Sequence, residues 1–206
     1  MTNDILKDLN EEQQKAVINT DGPMIILAGA GSGKTRVLTY KVLYLIQQKN
    51  VYPQNILMVT FTNKAANEMK ERISKLTSGY DKPTIGTFHS TCARILRIEG
   101  KYIGFSEKFS IYDSQDSTDA IKEAMKRANI STKDFKPHSV LATISQAKNQ
   151  LINELEYLKL ARGYFQENVA KIYPIYQRIL KENNAVDFDD LILRTIELFE
   201  KNPQIL

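Results

Sequence analysis

The sequence predicts an α/β fold: a parallel sheet with helices over about residues 1–90, then a mostly helical part over about 91–206. Short β-rich runs alternate with helix-period segments up to about Ser90, with Pro and Gly between them. Beyond Ser90 the apolar period is helical. Strand–helix–strand order implies right-handed crossovers and parallel pairing.

The elements follow in order. Met24–Ala28 is a continuous apolar run, expected to be a strand buried on both faces. A glycine-rich turn leads into a helix over about Lys34–Gln48, with Val37, Leu38, Val42, Leu45 and Ile46 on one stripe. Pro53 breaks the chain before a second strand over Ile56–Thr62. Asn63 is expected to cap the next helix, which buries Ala65, Ala66, Met69 and Ile73. After Pro83, Thr84–Phe88 reads as a third strand.

In the helical part, Asp113 is expected to cap a helix burying Ile121, Ala124, Met125 and Ala128. Val140, Leu141, Ile144 and Ala147 mark another helix after Pro137. Val169, Ile172, Tyr173, Tyr176, Ile179 and Leu180 form the clearest apolar stripe in the chain. Asp187 is expected to cap a last helix with Phe188, Leu191, Ile192, Thr195, Leu198 and Phe199 inward. There is no internal repeat and no low-complexity linker.

The strongest local signal is Ala28-Gly29-Ala30-Gly31-Ser32-Gly33-Lys34-Thr35, between a predicted strand and a predicted helix. Glycines let backbone N–H groups curl around an anion without Cβ clashes. The helix N-terminus adds unpaired N–H groups and the positive dipole end. Lys34 would place its charge on the β- and γ-phosphates, and the Thr35 hydroxyl would ligate a bridging Mg²⁺. These two are the candidate catalytic residues, with a nucleoside triphosphate and Mg²⁺ the expected ligands. The strict phosphate-loop pattern wants Gly at Ala28. The alternative is a glycine-rich turn that merely connects strand to helix.

Other segments narrow the family. Leu9–Gln13 precedes the loop, Val59–Met69 includes Thr60-Phe61-Thr62-Asn63-Lys64-Ala65-Ala66, Gly86–Ser90 ends the third strand, and Asp187–Leu191 lies near the C-terminus. Together they resemble the UvrD/PcrA/Rep group of superfamily 1 DNA helicases, along the whole chain. That group uses the loop with Ala leading, so Ala28 fits it. The resemblance implies a P-loop NTPase core of RecA-like type, incomplete here, with a mostly helical inserted subdomain. Residues 1–90 would be the N-terminal part of the ATP-binding motor domain 1A, and residues 91–206 the 1B-like insert.

The resemblance also implies residue roles. Gln13 would read the adenine edge, although on its own it reads as a surface glutamine. Arg36 would lie near the base or ribose, although on its own it is a helix-surface arginine. Phe61 would touch a base of single-stranded DNA, although on its own it reads as packing at a strand end. Thr62, Asn63, Thr87 and His89 would contact the DNA backbone or support that surface. Lys64 is either a phosphate contact or a solvated charge. The implied partners are single-stranded DNA, the single-strand/duplex junction, and the remaining motor domains of a longer protein acting 3′ to 5′.

A motor of this kind needs an Asp-Glu pair after an apolar strand, to hold Mg²⁺ and orient water. Asp189-Asp190 follows the polar stretch Lys181–Ala185, which has no strand character, so it is not that site. The chain is therefore expected to be the front part of a much longer protein, with weak nucleotide binding, negligible turnover and an exposed sheet edge. Two competing readings remain: a P-loop kinase acting on a small metabolite, and a DNA- or protein-binding module with an idle loop.

Composition fits and excludes. The net charge is +4, with 25% charged and 42% hydrophobic residues, which suits a globular nucleic-acid binder without establishing one. Residues 1–90 hold 11 Lys/Arg against 8 Asp/Glu, and residues 91–206 hold 17 against 16, so neither half is a basic tail. The single Cys92 excludes an internal disulfide, and it fits a reducing compartment such as the cytoplasm. His89 and His138 have no cysteine at zinc-ligand spacing. The polar, acidic start argues against a signal peptide, and no apolar run approaches the roughly 20 residues of a membrane span.

Overall fold

A computed structural model describes residues 5–77 and 82–206. Residues 1–4, part of the polar start discussed above, lie outside the described residues. The chain divides into two compact units, Met1–Phe88 and His89–Leu206.

In the first unit the order is α1 (Glu11–Ile18), α2 (Lys34–Gln47), β1 (Leu57–Thr60), α3 (Asn63–Leu76) and β2 (Thr84–Thr87). β1 and β2 pair in parallel, from Leu57 opposite Thr84 to Thr60 opposite Thr87. Parallel pairing needs a crossover rather than a hairpin, and α3 lies within it. Val42 and Ile46 of α2, Met69 and Ile73 of α3, and Ile56 and Met58 share one core. A smaller cluster joins Leu9 and Val17 to Val37, which seats α1 on α2.

Three expectations change here. Met24–Ala28 is not a strand: it carries no ladder, and Ile25 and Leu27 are 88% and 93% exposed. An apolar run becomes a buried strand only when neighbours supply ladder bonds and cover its faces. Among the described residues β1 and β2 pair with each other, and no strand lies beside 24–28. Leu38 is exposed, while Thr39 and Leu43 of the same helix are buried. The cap of α3 is Thr62, whose hydroxyl accepts from the Ala65 N–H at 3.2 Å, and Asn63 is the first helical residue.

The second unit contains α4 (Phe88–Glu99, entered from the last residue of the first unit), β3 (Ser110–Ile111), α5 (Ser114–Arg127), α6 (Pro137–Asn149), α7 (Glu154–Leu160), α8 (Tyr164–Glu182), β4 (Ala185–Val186) and α9 (Phe188–Lys201). Asp113 and Asp187 cap α5 and α9 as expected. One core joins Ile121, Ala124 and Met125 of α5, Val140 and Ile144 of α6, and Ile172, Tyr173 and Tyr176 of α8. A second joins Leu96, Phe109, Val186, Leu191 and Leu198.

Two further corrections belong to this unit. The stretch expected to lack strand character ends in β4, which pairs in parallel with β3. Asn184 makes this possible. It takes a positive φ of 47°, its carbonyl accepts from the Ser110 N–H at 2.9 Å, and its side chain donates to the Lys108 carbonyl at 3.1 Å. Asn tolerates this backbone better than most residues, and its long-range bonds create a strand that local composition does not signal. Phe188, expected inward, is half exposed.

Candidate functional site

The loop from Ala28 to Gly33 turns on two glycines with left-handed backbone, Gly31 at φ 76° and Gly33 at φ 86°. Gly33 is also the residue before α2, which has no side-chain cap. Asn10, Thr62, Asp113, Asn153 and Asp187 cap α1, α3, α5, α7 and α9, while α6 and α8, like α2, have no side-chain cap. The first intrahelical bond of α2 runs from the Val37 N–H to the Gly33 carbonyl at 2.9 Å. The N–H groups of Lys34, Thr35 and Arg36 therefore have no intrahelical acceptor, and an anion suits them. A Cβ at Gly29 or Gly31 would meet no atom within 4 Å, so the loop has open space beside it.

The loop's own side chains fold back on it. The Lys34 ammonium donates to the carbonyls of Ala28 at 3.1 Å and Gly29 at 2.6 Å. The Ser32 hydroxyl donates to the Gly29 carbonyl at 2.8 Å. Lys34, Ala30 and Ser32 are exposed, so a polyphosphate would exchange the Lys34–carbonyl bonds for phosphate contacts. Thr35 is half-buried on the first turn of α2. A triphosphate fits this donor set. Among the described residues no group of three or more His, Cys, Asp and Glu could hold a metal ion. The Thr35 hydroxyl is the side chain of this turn that would hold Mg²⁺ if the ion came with the phosphates.

Gln13 reaches the loop from α1, where its carboxamide donates to the Ser32 carbonyl at 3.0 Å. The Arg36 guanidinium lies 5.7 Å from the Tyr40 ring centroid one turn along α2.

At the ends of the parallel strands, Phe61 and Phe88 follow the paired residues Thr60 and Thr87 by one position. Their ring centroids lie 5.3 Å apart, and Phe61 is 87% exposed. Phe61 is therefore not core packing. Thr62, Asn63 and Lys64 are exposed beside it, and Thr87 is buried. In the second unit, half-buried His89 lies edge-on to Phe188, with centroids 5.6 Å apart. Sequence reasoning did not single out Phe88. The available signal was an aromatic at the end of each of two paired strands.

The acidic cluster near the C-terminus is internally satisfied. Lys148, whose side chain is buried, lies 2.6 Å from Asp187 and 2.9 Å from Asp190. The Tyr176 hydroxyl donates to Asp187 at 2.8 Å, and the Gln177 amide donates to Asp190 at 3.1 Å. Burial, then the charges of Lys148 and Arg194 acting against it, sets the Asp190 carboxyl; the cations win and hold it below the usual range. Burial and the Asp190 charge push Asp187 up. Asp189 is half-buried in the first turn of α9, two positions after the cap Asp187. Lys148 was missed in the sequence, although a lysine four residues after Ile144 on an apolar stripe was a readable sign.

Residues 9–206 match the UvrD/REP helicase N-terminal domain, and the chain belongs to that family. It is 50% identical over 207 residues to the ATP-dependent DNA helicase PcrA of Bacillus subtilis, a match covering 100% of this chain and 28% of that protein. It is 47% identical over 205 residues to PcrA of Staphylococcus aureus and over 206 residues to PcrA of Staphylococcus epidermidis, with 99% of this chain and 28% of each relative covered. The chain thus spans 28% of the length of these relatives.

Proposed function

We propose that this chain is the ATP-binding front part of an ATP-dependent DNA helicase that couples ATP hydrolysis to 3′–5′ movement on single-stranded DNA and to duplex unwinding. The observation that carries the reading is the loop at the uncapped start of α2, with left-handed Gly31 and Gly33 and an exposed Lys34. Lys34 neutralises the β- and γ-phosphates, and the N–H groups of Lys34, Thr35 and Arg36 complete the cradle. Mg²⁺ supplies charge neutralisation across the phosphate oxygens when bound. Gln13 reads the adenine edge, and Arg36 lies near the base or ribose.

Residues 1–90 form part of a RecA-like motor domain and residues 91–206 a helical insert in this reading. Phe61, Thr62, Asn63, Lys64 and Thr87 of the first unit contact DNA in this reading, and so does His89 of the second. Base stacking on an exposed ring contributes about 1–3 kcal/mol per base. The apolar, unpaired Met24–Ala28 run supports a sheet completed by further strands. A catalytic carboxylate pair is assigned to those further segments, because the Asp187 and Asp190 carboxylates are engaged by Lys148.

The test is ATP turnover and nucleotide binding by this chain, with and without single-stranded DNA, against Lys34→Ala. The expected result is nucleotide binding that Lys34→Ala abolishes, with negligible turnover. DNA-stimulated turnover lost in the variant would place a catalytic carboxylate inside these residues. Binding insensitive to Lys34 would sink the reading, and turnover dependent on a small metabolite rather than DNA would favour a kinase.

A further inference from the structure

We propose that Gln13 is a positioning residue of the phosphate loop, acting on the Ser32–Gly33 peptide independently of any base. This deepens the reading given under Proposed function and rests on it. Gln13 belongs to the capping box of α1: its side-chain oxygen accepts from the Asn10 N–H at 3.2 Å, and the Asn10 side chain accepts from the Gln13 N–H at 2.9 Å. The carboxamide is thereby fixed at one end. Its other end donates to the Ser32 carbonyl at 3.0 Å, across nineteen residues of sequence.

A trans peptide carries its C=O and N–H on opposite sides. Among the described residues no peptide bond is cis, so a Ser32 carbonyl held toward Gln13 turns the Gly33 N–H away from it. The Gly33 amide leads directly into the N–H groups of Lys34, Thr35 and Arg36, which have no intrahelical acceptor. Gly33 confirms the closeness of the approach: a Cβ there would stand 2.9 Å from the Gln13 side-chain nitrogen. The glycine is thus needed for its φ of 86°, and a methyl group there would displace the Gln13 amide.

Base reading and loop holding do not compete. A carboxamide nitrogen has two N–H groups and its oxygen two acceptor sites. One of each is engaged with Ser32 and Asn10, and one of each remains for a purine edge. Gln13 therefore links helix cap, phosphate loop and base through one side chain.

The experiment titrates this chain with sodium tripolyphosphate and Mg²⁺, which has no base, and separately with ATP. Wild type, Gln13→Glu, Gln13→Ala and Lys34→Ala are compared by calorimetry. Gln13→Glu keeps the acceptor that caps α1 and removes the donor to Ser32, so its thermal midpoint reports whether the fold is intact. The expected result is tripolyphosphate affinity weakened by about twofold to tenfold in both Gln13 variants, the worth of one hydrogen bond. The Gly33 backbone amide resonance of the ligand-free chain is expected to shift in Gln13→Glu with the midpoint unchanged. Weaker ATP binding with unchanged tripolyphosphate binding overturns the proposal and leaves Gln13 a base reader alone. An unmoved Gly33 amide overturns it too. Tripolyphosphate binding indifferent to Lys34 sinks the functional reading instead, a failure distinguishable from the other two.

Discussion

Lys148 and Asp187, thirty-nine residues apart in sequence, meet at 2.6 Å inside the second unit with both side chains out of water. The same ammonium lies 2.9 Å from Asp190 and 5.2 Å from the centroid of the Tyr176 ring. One side chain therefore ties α6 to α8 and to the capped start of α9. A buried pair adds little relative to a well-packed apolar replacement, but removing one partner leaves an uncompensated charge. Lys148→Met is expected to cost about 3–5 kcal/mol, read by urea denaturation. Adding Asp187→Asn to it should recover part of the loss. A single variant as stable as wild type would show that the carboxylates find other partners.

The same cluster gives a pH dependence with a defined sign. Lys148 and Arg194 overcome burial and hold Asp190 below its ordinary value. A depressed folded-state value contributes stability that is present above the unfolded pKa, about 3.9, and lost as pH falls below it. Asp187, pushed up by burial and by Asp190, acts in the opposite direction: its contribution is lost as pH rises through its raised value. Denaturation free energies measured from neutral pH down to about pH 3 should show an acid limb that Asp190→Asn flattens. An identical limb in the variant would assign it to other carboxylates.

Gly31 and Gly33 should not respond alike to alanine. Both have positive φ, which for an L-residue costs about 1–2 kcal/mol. Gly31 has open space where the methyl group would go, whereas at Gly33 it meets the Gln13 side chain at 2.9 Å. Gly33→Ala is expected to lower tripolyphosphate affinity more than Gly31→Ala does, measured by calorimetry. Equal losses would mean that backbone strain alone matters.

The Phe61–Phe88 pair separates stability from DNA binding. Phe61 is almost fully exposed, so Phe61→Ala should leave the unfolding midpoint nearly unchanged. If the ring stacks on a base, affinity for an oligothymidine strand falls by about 1–3 kcal/mol, read by fluorescence anisotropy. Phe88→Ala should give a smaller loss, because Phe88 is less exposed and touches the Phe61 ring. Unchanged affinity in Phe61→Ala would remove this ring from the DNA surface.

The α-helices were legible because their signals are local. The stripe of α8 from Val169 to Leu180 is buried as its spacing implies, and Asp113 and Asp187 cap where they were placed. The cap of α3 was misplaced by one residue because Thr62 and Asn63 are both good caps, and only backbone geometry chooses between them. The Met24–Ala28 run misled because a strand is not a local object. Its apolar pattern states what neighbours it needs, and β1 and β2 satisfy each other instead.

By itself the sequence determined the glycine-rich turn that opens α2, where Gly31 and Gly33 take positive φ. It also determined most of the helical faces, with Leu38 and Phe188 the exceptions, the parallel pairing of the strands placed at 56–62 and 84–88, and the family. Only tertiary structure decided that Gln13 holds the Ser32 carbonyl, that Phe88 stands beside Phe61, that Asn184 starts a strand, and that Lys148 neutralises Asp187 and Asp190. These are contacts between distant segments. Their partners are set by how helices and strands pack, and no residue's neighbours in sequence contain that information.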